Sequence, residues 1–212
     1  MCAPALITVA DYACAEFVEK KSRFIGHIAP ASTEEEAFDF LARIRNEHKS
    51  ATHNCYAWQV GEQDQFQRSA DAGEPAGTAG RPILEAIKRA DLHNTIIVVT
   101  RYFGGILLGS GGLTRAYSKS AVLAIGAAQR IMRLPACQVM FTFDYGLLGK
   151  VESYLAQQGL PVADKVYAEQ VCFICNIEKA QIRTITDALT DLSGGSLRWQ
   201  ELDSQVFLDR PL

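Results

Sequence analysis

The run NTIIVVTRYF (94–103), followed at once by GGILLGSGGLTR (104–115), decides how this chain is built. Ile96 to Val99 form an unbroken β-branched stretch. Such a stretch predicts a strand covered on both faces, hence a central one. Glycines at 104, 105, 109, 111 and 112 then break the pattern. LTRAYSKSAVLAIGAA (113–128) follows with Leu113, Ala116, Tyr117, Ser120, Ala121 and Ala124 on one helical stripe. A strand, a glycine-rich turn and a helix are also the parts of a phosphate cradle.

Upstream of this core, ALITVADY, AEFVEK and SRFIGHIAP alternate as strands, the last ending at Pro30. A helix is expected after Ser32, with Thr33 as N-cap and Glu36 completing a capping box. Its apolar residues Ala37, Phe40, Leu41 and Ile44 recur at helical spacing, and it should stop near His48. HNCYAWQVG is a strand and FQRS a short return strand. On the first of these His53, Cys55 and Ala57 share one face, and Asn54, Tyr56 and Trp58 the other. The turn-rich ADAGEPAGTAGRP (70–82) leads into the helix PILEAIKRA, which Thr78 or a neighbour should cap.

Beyond the core, RIMRLPA (130–136) reads as a connector. CQVMFTFDY, GLLGKVESYLAQQG, PVADKVYAEQ, VCFICNIE, KAQIRTITDALTDL and SGGSLRWQELDSQVFL then read as β-α-β-β-α-β. That order within such a short segment is the ferredoxin-like split βαβ arrangement. The fold class is therefore α+β in two domains, residues 1–132 and 136–212.

Composition narrows the function. The chain has 212 residues, 48% hydrophobic and 21% charged, as an ordinary globular protein has. No run approaches the roughly 18 apolar residues of a membrane span. The N-terminus lacks a basic leader segment, so a cytoplasmic protein without membrane contact is expected. Six irregularly spaced cysteines do not suggest a disulfide framework. Cys172 and Cys175 fit C-x-x-C, but on a strand they point to opposite faces, so neither a metal nor a cofactor is expected from them. Net charge is −3, yet residues 68–130 carry eight Lys/Arg against four Asp/Glu. The basic centre suits a local anionic partner.

The glycine segment fails the two nucleotide motifs it evokes. From Gly104 it gives G-G-I-L-L-G-S-G, with Ser110 and Gly111 where Walker A needs Lys and Ser/Thr. From Gly109 it gives G-S-G-G-L-T, with Thr114 in place of the third dinucleotide-loop glycine. What survives is more general. Glycine permits close backbone approach, and a helix N-terminus attracts anions. Arg115 and Lys119 share a helix face at i, i+4. The candidate phosphate- or nucleic-acid-binding set is Arg81, Arg101, Gly104, Gly105, Gly109, Ser110, Gly111, Gly112, Thr114, Arg115 and Lys119. A tight structural turn is the competing reading. Asp71 and Glu74 flank the basic region as a candidate acid or metal pair, and His53 with Cys55 as a candidate nucleophile pair.

Four blocks carry a resemblance: KKSRFIGHIAP (20–30), HNCYAW (53–58), ADAGEPAGTAGRPIL (70–84) and RYFGGILLGSGGLTRAYS (101–118). Together they resemble the IMPACT family in its bacterial, YigZ-like branch. That resemblance implies an N-terminal domain like the second domain of ribosomal protein S-five, shared by domain IV of elongation factor G, with an unusual left-handed crossover. It implies a ferredoxin-like C-terminal domain. It further implies a non-enzymatic, cytoplasmic protein that binds ribosome or structured RNA and modulates translation under stress. A protein partner in translation control is implied as well, although the partner-binding domain of eukaryotic relatives has no counterpart here. The alternative is an enzyme binding a nucleotide or phosphate ligand through residues 104–112. The same superfold includes kinases with glycine- and serine-rich phosphate loops, which LLGSGGL resembles only in part.

Overall fold

Thr95–Tyr102, the strand of the β-branched run, lies at the middle of a five-stranded sheet. The computed structural model describes residues 5–212, with Gln205 described by its backbone alone; Cys2 lies outside the described residues. In chain order the elements are β1 (Leu6–Val9), β2 (Ala13–Glu19), β3 (Ser22–Pro30), α1 (Glu34–Glu47), β4 (His53–Val60), β5 (Phe66–Ala70), α2 (Gly80–Arg89), β6 (Thr95–Tyr102) and α3 (Ser110–Ala127). They continue with β7 (Arg130–Phe143), α4 (Leu148–Gln157), β8 (Val162–Tyr167), β9 (Val171–Glu178), α5 (Ile182–Leu192) and β10 (Arg198–Pro211). The protein is α+β in two domains. Two compact units are described, one of residues 6–132 with 211–212 and the other containing 133–210.

In the first unit the sheet order is β2-β3-β6-β4-β5, with every neighbouring pair antiparallel. The alternation of β6 explains why the sheet is covered twice. Ile96 and Val98 pack with Trp58, Phe40, Leu41 and Ile44 under α1. Ile97 and Val99 pack with Cys55, Ala57, Ile83, Leu113 and Tyr117 under α2 and α3. Each buried Ile or Val contributes about 1.5–3 kcal/mol. The helical stripe of α3 buries the six residues its spacing predicted. Thr33 caps α1 by accepting from the Glu36 N–H at 3.2 Å, while Glu36 Oε2 reaches back to the Ser32 N–H at 2.7 Å.

Two local expectations need correction. RIMRLPA does join the two units, whose boundary falls between Met132 and Arg133, but it does so as a strand: residues 130–136 open the 14-residue strand β7. Pro135 is tolerated because the β7–β9 pairing begins one residue later, at Ala136 opposite Glu178. Nor does Thr78 cap α2. The cap position is Ala79, whose side chain has nothing to accept with, and Thr78 Oγ1 donates instead to the Pro75 carbonyl.

In the second unit β10, β7, β9 and β8 lie side by side in that order. Counted within the unit this is 4-1-3-2 for a βαββαβ chain, the split βαβ topology. β9 alternates buried and half-exposed residues, so Cys175 faces the core and Cys172 the opposite side. Among the described residues no helix is long and apolar enough to cross a membrane.

Candidate functional site

The segment 71–79 is shaped by one carboxylate. Asp71 Oδ1 accepts from the N–H groups of Ala79 and Gly80, both at 2.9 Å, and Oδ2 from Gly77 at 2.7 Å. It thereby caps α2 from nine residues away, the role expected of Thr78. Burial raises the Asp71 pKa, but the three backbone N–H donors outweigh it and hold the carboxyl below its usual value. Cys55 donates its thiol proton to the Asp71 carbonyl at 2.8 Å. Burial is the main cause that pushes this thiol up to about 12. Cys55 thus stays protonated at neutral pH and acts as a buried donor, not as a nucleophile.

Glu74, three residues on, turns inward. Its side chain is 3% exposed and its Oε1 accepts from Arg101 Nη1 at 2.6 Å and from the Tyr117 hydroxyl at 2.7 Å. His53 Nε2 stands 3.8 Å from the same oxygen, while His53 Nδ1 donates to the Ala72 carbonyl at 3.0 Å. Arg101 lies between the rings of Phe24 and Phe103, with Cζ 5.4 Å from each ring centre. Its Nη2 reaches Ser22 Oγ at 3.4 Å. Arg101 Nε is buried with no acceptor among the described residues. Tyr117 is fully buried, and burial first, then Cys55 and Glu74, raise its pKa strongly. Asp71 and Glu74 therefore serve separate networks, one of backbone amides and one of buried side chains.

The glycine loop divides by position. Gly104 lies against the β2–β3 turn, where a Cβ would collide with the backbone carbonyl of Lys21 and come within 2.5 Å of the Ser22 nitrogen. Its N–H donates to Ser22 Oγ at 3.1 Å. Gly105 (φ 82°) and Gly109 (φ 72°) hold left-handed conformations, and Gly109 is the N-cap of α3. Ser110, Gly111 and Gly112 form the first turn of α3, where backbone N–H groups have no acceptor inside a helix.

The cationic candidates separate as well. Arg101 lines a cleft with His53, Glu74, Gly109 and Ser110. Arg115, Lys119 and Gly112 line a second hollow, together with Lys20 of the β2–β3 turn. Arg81 and Thr114 line a third, with Arg89 and Ser118. Arg101, at 5% exposure, is closed off from bulk solvent, whereas Arg81, Thr114, Arg115 and Lys119 are exposed. Sequence reasoning missed Lys20, Ser22, Arg89, Tyr117 and Ser118. Tyr117 was visible as a polar-tipped residue on a buried stripe, which signals a partner for its hydroxyl. Lys20 left no local signal, because pairing of β2 and β3 alone brings it to α3.

Comparison with known proteins agrees with this architecture. Residues 20–125 match the Impact N-terminal domain and residues 141–196 match a domain of unknown function, DUF1949. A Bacillus subtilis protein, IMPACT family member YvyE, is 42% identical over 192 residues, covering 89% of this chain and 87% of the relative. The Escherichia coli IMPACT family member YigZ is 35% identical, covering 84% and 89%. Human Protein IMPACT is 34% identical over 96 residues, 43% of this chain and 29% of that one. A crystal structure titled as a hypothetical protein is 31% identical and covers 94% of this chain and 98% of its own, with a TM-score of 0.63. With its Impact N-terminal domain, its DUF1949 domain and relatives matched over most of their length, this chain belongs to the IMPACT family.

Proposed function

We propose that this protein binds structured RNA, alone or in the ribosome, and so modulates translation. The observation that carries the reading is the outer face of α3. Thr114, Arg115, Ser118 and Lys119 alternate along it between two hollows, one bordered by Lys20 and the other by Arg81 and Arg89. Only Glu19 and Glu85 among the residues lining those hollows are acidic. Cations and hydroxyls interleaved on one exposed face are what phosphate oxygens require. The resemblance of the N-terminal domain to domain IV of elongation factor G supports the same reading, as does the basic balance of residues 68–130. Arg101 is left out of this surface, because its charge is matched by Glu74 in the interior.

The test is co-sedimentation with ribosomes and with isolated ribosomal RNA at several salt concentrations. With three to five phosphate contacts, affinity should fall about 20- to 500-fold between about 50 and 200 mM salt. The variant Lys20→Ala/Arg115→Ala/Lys119→Ala should bind weakly and lose most of that salt dependence. These side chains are exposed, so folding should not change. Wild-type binding that ignores salt, no binding at low salt, or a triple variant that binds like wild type refutes the proposal.

A further inference from the structure

The hollow between α2 and α3 holds one residue that phosphate binding does not explain. It encloses about 440 Å³, with Arg81, Glu85 and Arg89 of α2 on one wall and Thr114 and Ser118 of α3 on the other. Glu85 is the one acid in that lining, and it is half-buried. A carboxylate placed there repels phosphate oxygens and has no proton to give them.

Two observations say what Glu85 is left open for. The first is its lack of a partner. Arg81 precedes it and Arg89 follows it by four residues, the spacing at which helical ion pairs form. At that spacing Arg43 meets Glu47 at 4.0 Å and Arg183 meets Asp187 at 3.8 Å. Glu85 pairs with neither arginine and has no hydrogen-bond or ion-pair partner among the described residues. The second is the state of the groups around it. Elsewhere in this unit Arg23, Arg43 and Arg101 pair with acids, and Arg45 and Arg68 lie over aromatic rings. Arg81 and Arg89 do neither among the described residues, and both are exposed. On the facing wall the Ser118 hydroxyl is unengaged among the described residues. Thr114 Oγ1 uses only its proton, on the Ser110 carbonyl at 3.1 Å.

An open acceptor midway between two open cations, facing a free hydroxyl, matches a sugar between phosphates. Arg81 and Arg89 stand about 12 Å apart along the helix axis, so the phosphates flanking one or two nucleotides lie within reach of their side chains. What distinguishes ribose there is the 2′-hydroxyl, a donor as well as an acceptor. A carboxylate is its natural partner, as in dinucleotide-binding folds, where an acidic side chain takes the ribose 2′-hydroxyl. Resting on the reading that this face binds RNA, we propose that Glu85 is its specificity-determining residue. Glu85 accepts a hydrogen bond from a ribose 2′-hydroxyl, Ser118 donates to the same 2′ oxygen, and Arg81 and Arg89 hold the neighbouring phosphates. In a backbone without the 2′ proton the repulsion from Glu85 is left unopposed. Attraction to RNA and repulsion of DNA thus act together.

Fluorescence anisotropy of the full chain with a labelled RNA hairpin and its 2′-fluoro twin tests the assignment. The twin keeps the charge and the A-form geometry and lacks the hydroxyl proton. Wild type should bind the RNA about ten-fold or more tightly than the twin, the worth of one hydrogen bond to a charged group. Glu85→Ala should bring that ratio close to one by tightening the twin and not the RNA, with the salt slope of RNA binding unchanged. Alanine is the better helix former, so the melting temperature should hold. Equal binding of RNA and twin by wild type overturns the proposal and leaves the RNA-binding reading standing. So does a Glu85→Ala protein that tightens both by the same factor, since Glu85 is then a repulsive charge and no more. Binding of neither probe at low salt refutes the RNA-binding reading, and the role of Glu85 falls with it.

Discussion

Replacing Glu74 by alanine strands the Arg101 guanidinium in the interior. Both side chains are under 7% exposed, and one oxygen of Glu74 serves Arg101 and Tyr117 together. Removing one partner of a buried ion pair costs about 3–5 kcal/mol, because the remaining charge has no water to turn to. The Tyr117 hydroxyl, fully buried, loses its acceptor in the same step, a cost of about 1–3 kcal/mol that overlaps the first. We therefore expect Glu74→Ala to lose about 3–5 kcal/mol. The triple variant Glu74→Leu/Arg101→Met/Tyr117→Phe removes every stranded polar group and keeps apolar bulk between Phe24 and Phe103. It should recover to within about 1–2 kcal/mol of wild type, since neutral replacement of a buried pair is often harmless. Urea unfolding followed by Trp58 fluorescence reads this unit, because Trp58 is fully buried in it. The other tryptophan, Trp199, is 45% exposed in β10 and can be changed to Phe as the background, which keeps the two units from mixing in one signal. A Glu74→Ala loss below about 1 kcal/mol, or a triple variant no more stable than the single one, refutes the claim that the pair is a buried charge network.

The glycine loop offers a contrast within a few residues. Gly104→Ala must displace the Lys21–Ser22 backbone and should cost about 1–3 kcal/mol, whereas Gly111→Ala enters open space in a helix and should be neutral or stabilising by up to about 1 kcal/mol. Equal effects in thermal denaturation would contradict this division. Asp71→Ala unties three backbone N–H groups and should lose about 1.5–3 kcal/mol at pH 7. Because the folded-state pKa of Asp71 is depressed, its contribution is present above the unfolded carboxylate value, about 3.9, and fades as pH falls through the folded value. Wild type and variant should thus begin to converge in stability as pH falls below about 4, and a gap that does not narrow at all as pH is lowered below that value in urea titrations would rule the carboxylate out as the cause.

Much of the fold was legible because the signals are local and periodic. The β-branched run of β6 announced a strand covered twice, and the structure places α1 on one face and α2 with α3 on the other. The α3 stripe, the α1 cap and the divergence of Cys172 from Cys175 follow from spacing alone. That residues 130–136 run as a strand was not legible, because a proline cannot donate to a strand ladder, and only the register of β7 against β9 shows that Pro135 precedes that pairing. The site was less legible. Arg101 sits among basic neighbours in sequence, yet strand alternation puts it on the face of Ile97 and Val99, under the helices. That parity was available in the sequence. Its partner was not, because Glu74 comes from a loop whose course is set by the Asp71 amide bonds.

Local sequence set most of the strands and helices, the division into two α+β units and the basic central third. Those properties depend on side-chain period and composition, which neighbours in the chain carry. Tertiary structure alone decided how the candidate residues are shared out: Arg101 to a buried pair with Glu74, Lys20 to the face of Arg115 and Lys119, and Gly104 to a contact with a turn more than eighty residues earlier. Burial, charge matching and close backbone approach depend on which distant segments meet, and only the pairing of β2, β3, β4 and β6 settles that.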